Sequence, residues 1–513
     1  MTSRRLLILV TVLLLTAGFS VAQEVSIQGS NEMRWADGQE TLSGQEQAKR
    51  YFENRLNTDL YYGRVRIGVR LTSLQPSEFG ETIYGPETLD KRFLEYSDPD
   101  IDFRLRAGDF YTVWGRGLTL ALVEDINQGF DSGLDGVMAS GGVGNVELEA
   151  ISGRSREGWL GLVRESQVSG GHVGMSLPLG FGLGGQALLV TPVDNVSSYN
   201  ENRTWGGYFT YDGSSVSLWA EHAIESVEGI DDDHDASYLS MSWFGNNIGI
   251  ALDYKRYRYY RFSSGSSNAG STYAQSVGIL PFHNAPIGQR EFTSPLFSKH
   301  PHIVMFNDEV GVQLEMTYNP TAMTTFILSM SQSSSFVERD GWLPSLEEEQ
   351  SPFREVFLEM NAYPTDSWYA TAWAGWNEDL VYQNVRVKWT RQMVFGTQNE
   401  LAIHQDWSFK SSLEAAQVEE VSSGEDYIDG LIVLGLTWRS QYTAAVTYEF
   451  TGEEDPVNDT SNWVKLDVGA FLSNRHELLM TIGQERGGMV CSSGKCRVVT
   501  PFDGVKMTLT TLF

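Results

Sequence analysis

The sequence predicts an all-β protein in which one antiparallel sheet closes into a barrel that crosses a membrane. Two observations carry this prediction: apolar and polar residues alternate up to the end of the chain, and short turns alternate with long polar segments. The last segment, Asp503–Phe513, shows the alternation most clearly, because a strand points successive side chains to opposite faces. One face holds Val505, Met507, Leu509 and Phe513, and the other holds Lys506, Thr508, Thr510 and Leu512. Such a strand at a chain end leaves an open edge unless another strand pairs with it.

The N-terminus predicts export from the cytoplasm. Arg4 and Arg5 precede the apolar run Leu6–Ala17, and small residues follow at Ser20–Ala22. This pattern is typical of a signal peptide, residues 1–22, that is cleaved after Ala22. The run is shorter than the roughly 20 apolar residues that span a bilayer as a helix, and no later segment supplies them. Residues 23–513 are therefore predicted to form one domain, which can cross a membrane only as a barrel.

Composition excludes several classes of partner and cofactor. The formal net charge of −29 argues against nucleic acid and against anionic lipid surfaces as partners. Cys491 and Cys496 are the two cysteines, and their spacing fits neither a zinc site nor a haem attachment, so no metal or cofactor is predicted. In an oxidising compartment the pair is predicted to form a disulfide.

The turns give an estimate of strand number. The clearest hairpin is Glu309–Phe336, which turns at Asn319–Thr321. Short turns of this kind, including one predicted at Val394–Thr397, alternate with longer polar segments such as Ala36–Lys49. Transmembrane barrels have short periplasmic turns and long extracellular loops, and threading strands through the pattern gives about 24, within a range of about 18 to 26.

Charged residues on the predicted strands indicate the face that lines the lumen, because Arg or Lys on the lipid face costs about 2–4 kcal/mol at mid-membrane. The predicted basic lumen residues are Arg64, Arg66, Arg70, Arg104, Arg106, Arg386 and Lys388. The predicted acidic ones are Asp102, Glu147, Glu149, Glu309, Glu315, Glu355 and Glu359. These stripes either set a field that orients polar solutes or pair across neighbouring strands and stiffen the wall.

Taken with the closing strand, the chain resembles the uncharacterised large, porin-like outer-membrane barrels of Gram-negative bacteria. The resemblance implies residence in the outer membrane, contact with its lipid, and recognition by the barrel assembly machinery through the strand that ends at Phe513. Thr511 departs from the apolar residue usual at that position. The sequence does not predict the oligomeric state.

The stretch Arg106–Leu118, RAGDFYTVWGRGL, resembles a glycine-punctuated strand motif of some polysaccharide-export and substrate-specific porins. The resemblance implies that Arg106 and Arg116 contact an acidic or sugar-like solute. A simpler interpretation is that the glycines mark a bulge or bend at a strand junction.

The predicted function is a channel for the passive or substrate-biased passage of small polar solutes. The alternative is a non-conducting scaffold for export, assembly or adhesion, with its lumen filled by the long segment Tyr260–Asn307. We expect the apolar part of that segment, Val277–Phe282, to fold inward and narrow the pore, since loops of this length are usually functional or disordered. Catalytic motifs such as GxSxG, HExxH and the P-loop are absent, so the protein is not expected to be an enzyme.

Overall fold

The protein is an antiparallel barrel. The computed structural model describes residues 25–42, 45–79, 87–159, 162–193, 201–261, 280, 282–292, 294–337, 340–383, 386–454, 460–492 and 495–513. Within these residues, 24 strands form one closed sheet, and each strand pairs with its neighbours in sequence. The strands are β1 Ser26–Leu42, β2 Gln45–Tyr62, β3 Val65–Leu74, β4 Glu87–Asp98, β5 Phe103–Phe110, β6 Leu134–Val143, β7 Val146–Trp159, β8 Leu162–Ser176, β9 Phe181–Pro192, β10 Asn202–Asp212, β11 Val216–Val227, β12 His234–Phe244, β13 Ile248–Arg258, β14 Glu309–Thr321, β15 Thr324–Ser334, β16 Phe353–Thr365, β17 Trp368–Gln383, β18 Arg386–His404, β19 Trp407–Glu420, β20 Glu425–Trp438, β21 Tyr442–Thr451, β22 Asn462–Ser473, β23 His476–Glu485 and β24 Phe502–Leu512. The predicted fold class and strand number are confirmed.

The last strand closes the barrel. β24 pairs antiparallel with β1, from Ser30 opposite Leu512 to Glu40 opposite Phe502. At the end of this ladder the backbone N–H of Gly29 donates to the carbonyl oxygen of Phe513 at 2.9 Å, and the N–H of Phe513 donates back to Gly29 at 3.0 Å. The edge that the alternating C-terminal segment would otherwise expose is therefore paired along its whole length.

The two ends of the barrel differ, as the sequence pattern predicts. One end, here the short-turn end, carries brief connections such as that between Val143 and Val146, together with both ends of the described chain. The opposite end, here the long-loop end, carries the long connections.

Three helical segments, all short 3₁₀ turns, occur in the described residues, at Pro178–Gly180, Phe297–Lys299 and Glu348–Gln350. No helix within these residues has the length and apolar character needed to cross a membrane.

Two predicted boundaries are wrong. Val394–Thr397 lies inside β18, and the turn comes after His404 instead. Ala36–Lys49, predicted as a loop, is mostly strand, because β1 runs to Leu42 and β2 begins at Gln45. The backbone pairing of β1 with β2 continues through this polar region, where side chains form ion pairs such as that of Arg50 Nε with Asp37 Oδ1 at 2.8 Å. The loss of apolar alternation therefore does not mark the end of the strands.

Connections from the long-loop end fold into the barrel. The first inner loop, residues 111–133, joins β5 to β6. The second inner loop comprises the described residues within 280–308, before β14. The inner hairpin pairs Gly488–Ser492 with Lys495–Val499 before β24. Leu280 and Phe282, from the segment predicted to fold inward, are buried in one cluster with Trp114 and Leu120 of the first inner loop.

Register separates the inner face of the wall from the outer one. Glu221, Tyr238 and Lys255 stand side by side on β11, β12 and β13. They face the lumen, because the Lys255 ammonium donates to the carbonyl oxygen of Ile287 in the second inner loop. Residues of the opposite parity point outward and carry the exposed apolar side chains expected of a lipid-facing surface, such as Met241 in β12.

Candidate functional site: the occluded lumen

Two carboxylates of the wall hold the first inner loop on one side of the lumen. Glu149 of β7 accepts hydrogen bonds from Thr112 Oγ1 at 2.7 Å and from Trp114 Nε1 at 2.6 Å. Glu221 of β11 is buried and accepts the backbone N–H of Arg116 at 2.7 Å. Since these carboxylates lie on different strands, the loop has two separate points of attachment to this wall.

The glycines of the Arg106–Leu118 motif form a tight turn in this loop. Gly115 and Gly117 have φ values of +59° and +84°, a region that favours glycine. A Cβ atom on Gly115 would lie 2.5 Å from a Glu221 carboxylate oxygen, and one on Gly117 would lie 2.7 Å from the Asn284 carbonyl oxygen. These two glycines lie in the turn between the paired segments Val113–Trp114 and Leu120–Ala121, so they mark a bend between strands and not a bulge in the barrel wall.

The first inner loop also contacts wall strands that precede it in the chain. Glu124 pairs with Arg70 of β3 at 2.6 Å, and Asp131 pairs with Lys91 of β4. Asn127 accepts a hydrogen bond from Arg34 of β1 at 2.9 Å. Together with its contacts to β7 and β11, these pairs attach the loop to wall strands from β1 to β11, nearly half of the 24-stranded sheet.

The two inner loops are hydrogen-bonded to each other. The N–H of Ala121 donates to the carbonyl oxygen of Phe282 at 2.7 Å, and the N–H of Asn284 donates to that of Gly117 at 3.2 Å. Apolar clusters then join both loops to the wall. Their buried members include Phe110, Leu122, Met138, Val168 and Leu188 in one cluster, and Leu118, Ala223, Tyr257, Tyr259 and Phe306 in another. The lumen therefore contains a hydrophobic core as well as the charges that the sequence analysis emphasised.

Buried charges fix the second inner loop beside β13 and β14. Lys255 and Glu309 pair at 2.6 Å with only 1% and 2% of their side chains exposed. His302 of the loop lies 3.1 Å from Asp379 and 3.5 Å from Glu309. Burial by itself would lower the His302 pKa, but these two carboxylates raise the pKa to about 10, so the imidazole is charged at neutral pH. The neighbouring Glu355 is also buried.

Further along, the second inner loop spans the other side of the lumen. Arg290 pairs with Glu359 at 2.9 Å and lies 3.8 Å from Glu315. Phe297 packs in a buried cluster with Phe357 of β16 and Val394 of β18. Lys299 pairs with Glu449 of β21. Sequence reasoning named the wall carboxylates Glu315 and Glu359 but missed Arg290, because that residue sits in a segment without periodicity.

The inner hairpin contacts both the first inner loop and the connection that follows β3. The carbonyl oxygen of Val490 accepts a hydrogen bond from Gln128 at 3.5 Å, and Arg497 pairs with Glu78 at 3.4 Å. Cys491 and Cys496 face each other in the backbone register of this hairpin. Their side chains lie outside the described residues, so the disulfide stays a prediction.

Towards the short-turn end, arginine and glutamate side chains of the wall face an open part of the lumen. Arg104 and Glu147 are exposed. Arg66 pairs with Asp59 across strands at 2.9 Å. The Arg106 guanidinium lies 3.4 Å from Glu95 and 3.5 Å from the centroid of the Phe93 ring. We call this half of the lumen the vestibule.

The remaining predicted lumen residues lie outside strands or outside the described side chains. Arg64 and Asp102 lie in short turns just before β3 and β5, and Arg64 pairs there with Asp98 and Asp100. The side chains of Arg386 and Lys388 fall outside the described residues. Arg116, expected to touch a solute, stacks its guanidinium 5.0 Å from the centroid of the Trp219 ring.

Most of the predicted lumen charges described above have an opposite charge within reach, which favours pairing over a transverse field. No group of three or more His, Cys, Asp or Glu side chains among the described residues is arranged to hold a metal ion.

The family assignment covers the whole chain. A family model described as "Family of unknown function (DUF6029)" matches residues 1–513. The chain belongs to this family. No curated protein matches the sequence.

Solved structures show the fold alone. A cryo-EM structure of an E. coli P pilus tip assembly intermediate, PapC-PapD-PapK-PapG, matches with a TM-score of 0.51 at 11% identity, covering 96% of this chain and 61% of that one. The translocation pore of the P pilus usher PapC gives 0.47 at 12% identity, covering 95% and 99%. The siderophore receptor PirA from Pseudomonas aeruginosa gives 0.43 at 11% identity, covering 96% and 81%. These similar structures are outer-membrane barrels.

Proposed function

We propose that this member of the family is a channel of the Gram-negative outer membrane in which inner loops restrict the passage of small polar solutes. The division of the lumen is the observation that carries the proposal. A polar vestibule lies at the short-turn end, and two hydrogen-bonded inner loops cross the lumen beyond it. Short turns belong on the periplasmic side of such barrels, so the vestibule would open to the periplasm and the constriction would face outward.

The vestibule supports polar rather than apolar cargo. Its wall presents exposed side chains of both signs, such as Arg104, Glu147 and Lys410. Charges of both signs give solutes hydrogen-bonding partners without a strong preference for cations or anions. A barrel with 24 strands is wider than the 16–18-stranded porins that hold aqueous channels, so a passage beside the inner loops is compatible with its size.

The filled lumen favours a second candidate, a closed scaffold for export, assembly or adhesion. The inner loops are held by buried ion pairs and by clusters that include Trp114, Phe282 and Phe297, and such contacts are costly to break. In either case we propose that the protein is not an enzyme and that the barrel assembly machinery recognises the strand that ends at Phe513.

Single-channel recording in a planar bilayer separates the two candidates. The purified full-length protein should give steady openings at both voltage polarities, smaller than expected for an empty barrel of this size. Liposome swelling with neutral sugars of increasing mass would then give the size limit. Bilayers that remain silent after confirmed insertion, with no swelling for any sugar, would reject the channel and leave the scaffold.

A further inference from the structure

The connection between β15 and β16, residues 335–352, exposes a group of large apolar side chains. We call it the rim loop; its described residues are 335–337 and 340–352. Trp342, Leu343 and Leu346 are 64%, 71% and 60% exposed. The loop is nevertheless fixed at its base, where the N–H groups of Phe336 and Val337 both donate to Asp308 Oδ1, at 2.8 and 2.9 Å. An ordered loop that presents three large apolar side chains indicates a contact surface.

The rim loop lies against the outer side of the wall. Lys255 and Tyr257 of β13 point into the lumen, where Tyr257 Oη donates to the Pro286 carbonyl oxygen at 2.7 Å. Tyr254 and Arg256 have the opposite parity and point outward. Tyr254 Oη donates to the Trp342 carbonyl oxygen at 2.9 Å. The loop therefore crosses the rim and packs outside the barrel.

Arg256 joins the loop to this outer surface. Its guanidinium lies 4.8 Å from the centroid of the Trp342 ring and 4.3 Å from that of Phe336. It also pairs with Asp340 of the loop at 2.9 Å and with Asp235 of β12 at 2.6 Å. These contacts hold the rim loop against the wall, while most of the Trp342 surface remains exposed.

The height of the contact places these side chains at the edge of the lipid-facing band. Outward residues below Tyr254 are apolar, with Leu252 between Met241 and Leu314 in the next row. Ile248 begins β13 at the short-turn end of the barrel. Tyr254 lies about 20 Å further along the strand, at roughly 3.3–3.4 Å per residue. The apolar band of such barrels is about 25 Å tall and ends in aromatic girdles at both interfaces. Trp342 is therefore level with the outer girdle.

We propose that the rim loop is a lipid anchor that inserts Trp342, Leu343 and Leu346 into the outer interface of the membrane. Continuity with the lipid-facing rows of β12, β13 and β14 identifies lipid, rather than a protein partner, as the occupant. Tryptophan favours the interface because its ring is apolar and its N–H is polar. The proposal rests on the outer-membrane location but does not depend on whether the barrel conducts.

Spin labelling in phospholipid vesicles tests the anchor. A Cys491→Ser/Cys496→Ser background carries one nitroxide at Leu343→Cys, at Met241→Cys in the lipid-facing wall, or at Asp232→Cys in the exposed connection between β11 and β12. The measured quantity is the ratio of the nitroxide's collision rate with oxygen to its collision rate with a water-soluble nickel chelate. This ratio should be at least about tenfold higher at position 343 than at 232, as expected for apolar groups buried about 5–10 Å into the interface. The ratio at 343 should approach that at 241.

Other outcomes overturn the proposal in distinguishable ways. If 241 reports lipid while 343 matches 232, the rim loop lies in water and the anchor is wrong, although the barrel is in the membrane. If neither reagent reaches 343, protein covers the loop and lipid is the wrong occupant. If 241 itself reports water, the membrane location on which the anchor rests fails.

Discussion

Glu147 and Glu149 lie on the same face of the same strand, yet their surroundings differ. Glu149 holds Thr112 and Trp114 of the first inner loop, whereas Glu147 is exposed in the vestibule. Residue type therefore does not decide whether a lumen charge supports the structure or faces water; its height relative to the inner loops does.

Ion pairs show the same contrast. Lys255 and Glu309, at the height of the second inner loop, are almost fully buried. Lys410 and Glu400 of the vestibule pair at 3.4 Å while 48% and 46% of their side chains remain exposed. A buried pair left without one partner is strongly destabilising, whereas an exposed pair contributes little. Matched substitutions at the two heights should therefore have very different effects.

The largest effect is expected for Lys255→Met. Loss of the ammonium leaves the Glu309 carboxylate with less compensation, at a cost of about 3–5 kcal/mol, and frees the Ile287 carbonyl oxygen. Hydrogen exchange of the amides of residues 282–292 should accelerate by at least about a hundredfold, at roughly 1.4 kcal/mol per factor of ten. Lys410→Met is the control, with about 0–1 kcal/mol expected. Equal exchange in the two variants would contradict the burial argument.

Gly115→Ala should have a smaller effect. Alanine costs about 1–2 kcal/mol at positive φ. At this site its Cβ would also press on the Glu221 carboxylate, and crowding of this kind adds a further destabilisation of about 1–3 kcal/mol. Gly144→Ala is the matched control, since Gly144 has a φ of +66° and no atom within 4 Å of an added Cβ. Thermal stability of both variants would be measured in detergent. The extra loss in Gly115→Ala over Gly144→Ala measures the contribution of the contact between this turn and Glu221. Equal losses would show that only backbone strain matters.

Cysteine reactivity should distinguish the two glutamates more modestly. In the Cys491→Ser/Cys496→Ser background, Glu147→Cys should react with a methanethiosulfonate reagent at least about tenfold faster than Glu149→Cys. A factor of ten corresponds to about 1.4 kcal/mol. The first inner loop covers position 149 and leaves 147 open. Similar rates, with Leu148→Cys as a lipid-facing reference, would mean that the loop does not shield the wall.

The smallest effect on the barrel is expected from the cysteines. A short disulfide-closed loop contributes on the order of 2–3 kcal/mol locally, while the strand ladder holds the wall. Cys491→Ser/Cys496→Ser should therefore insert normally, with faster proteolysis of the inner hairpin as its only change. Failure of this variant to assemble would place the pair in barrel closure.

Much of the barrel could be predicted from the sequence because its strands obey a local rule. The alternation in Asp503–Phe513 predicted both faces of the closing strand. The hairpin predicted at Glu309–Phe336 corresponds to β14 and β15, although its turn lies at Ala322–Met323, just after the predicted Asn319–Thr321. The turn prediction at Val394–Thr397 is wrong because glycine occurs within strands, where it leaves space for a large neighbouring side chain, as well as in turns. A Cβ on Gly396 would lie 2.3 Å from the Trp373 ring, so the glycine makes room for an aromatic neighbour.

The inner loops could not be predicted in the same way. Arg116 and Glu221 are 105 positions apart, and nothing in the local pattern links them. Glu309 was recognised as a lumen residue, but its partner Lys255 lies in the run Tyr254–Tyr260, where basic and aromatic residues hide the alternation. Contacts between segments without periodicity depend on tertiary packing, which short-range patterns do not encode.

The most direct test of the account is the conductance of the barrel without its first inner loop. Residues 112–132 would be replaced by a short Gly-Ser linker, with an equivalent replacement of the exposed residues 229–232 as the control. Insertion of both variants would be checked by heat-modifiable migration on gels. The account predicts a single-channel conductance at least severalfold above that of the wild type for the first variant and no change for the control. An unchanged conductance in the correctly inserted first variant would contradict the claim that this loop restricts the lumen.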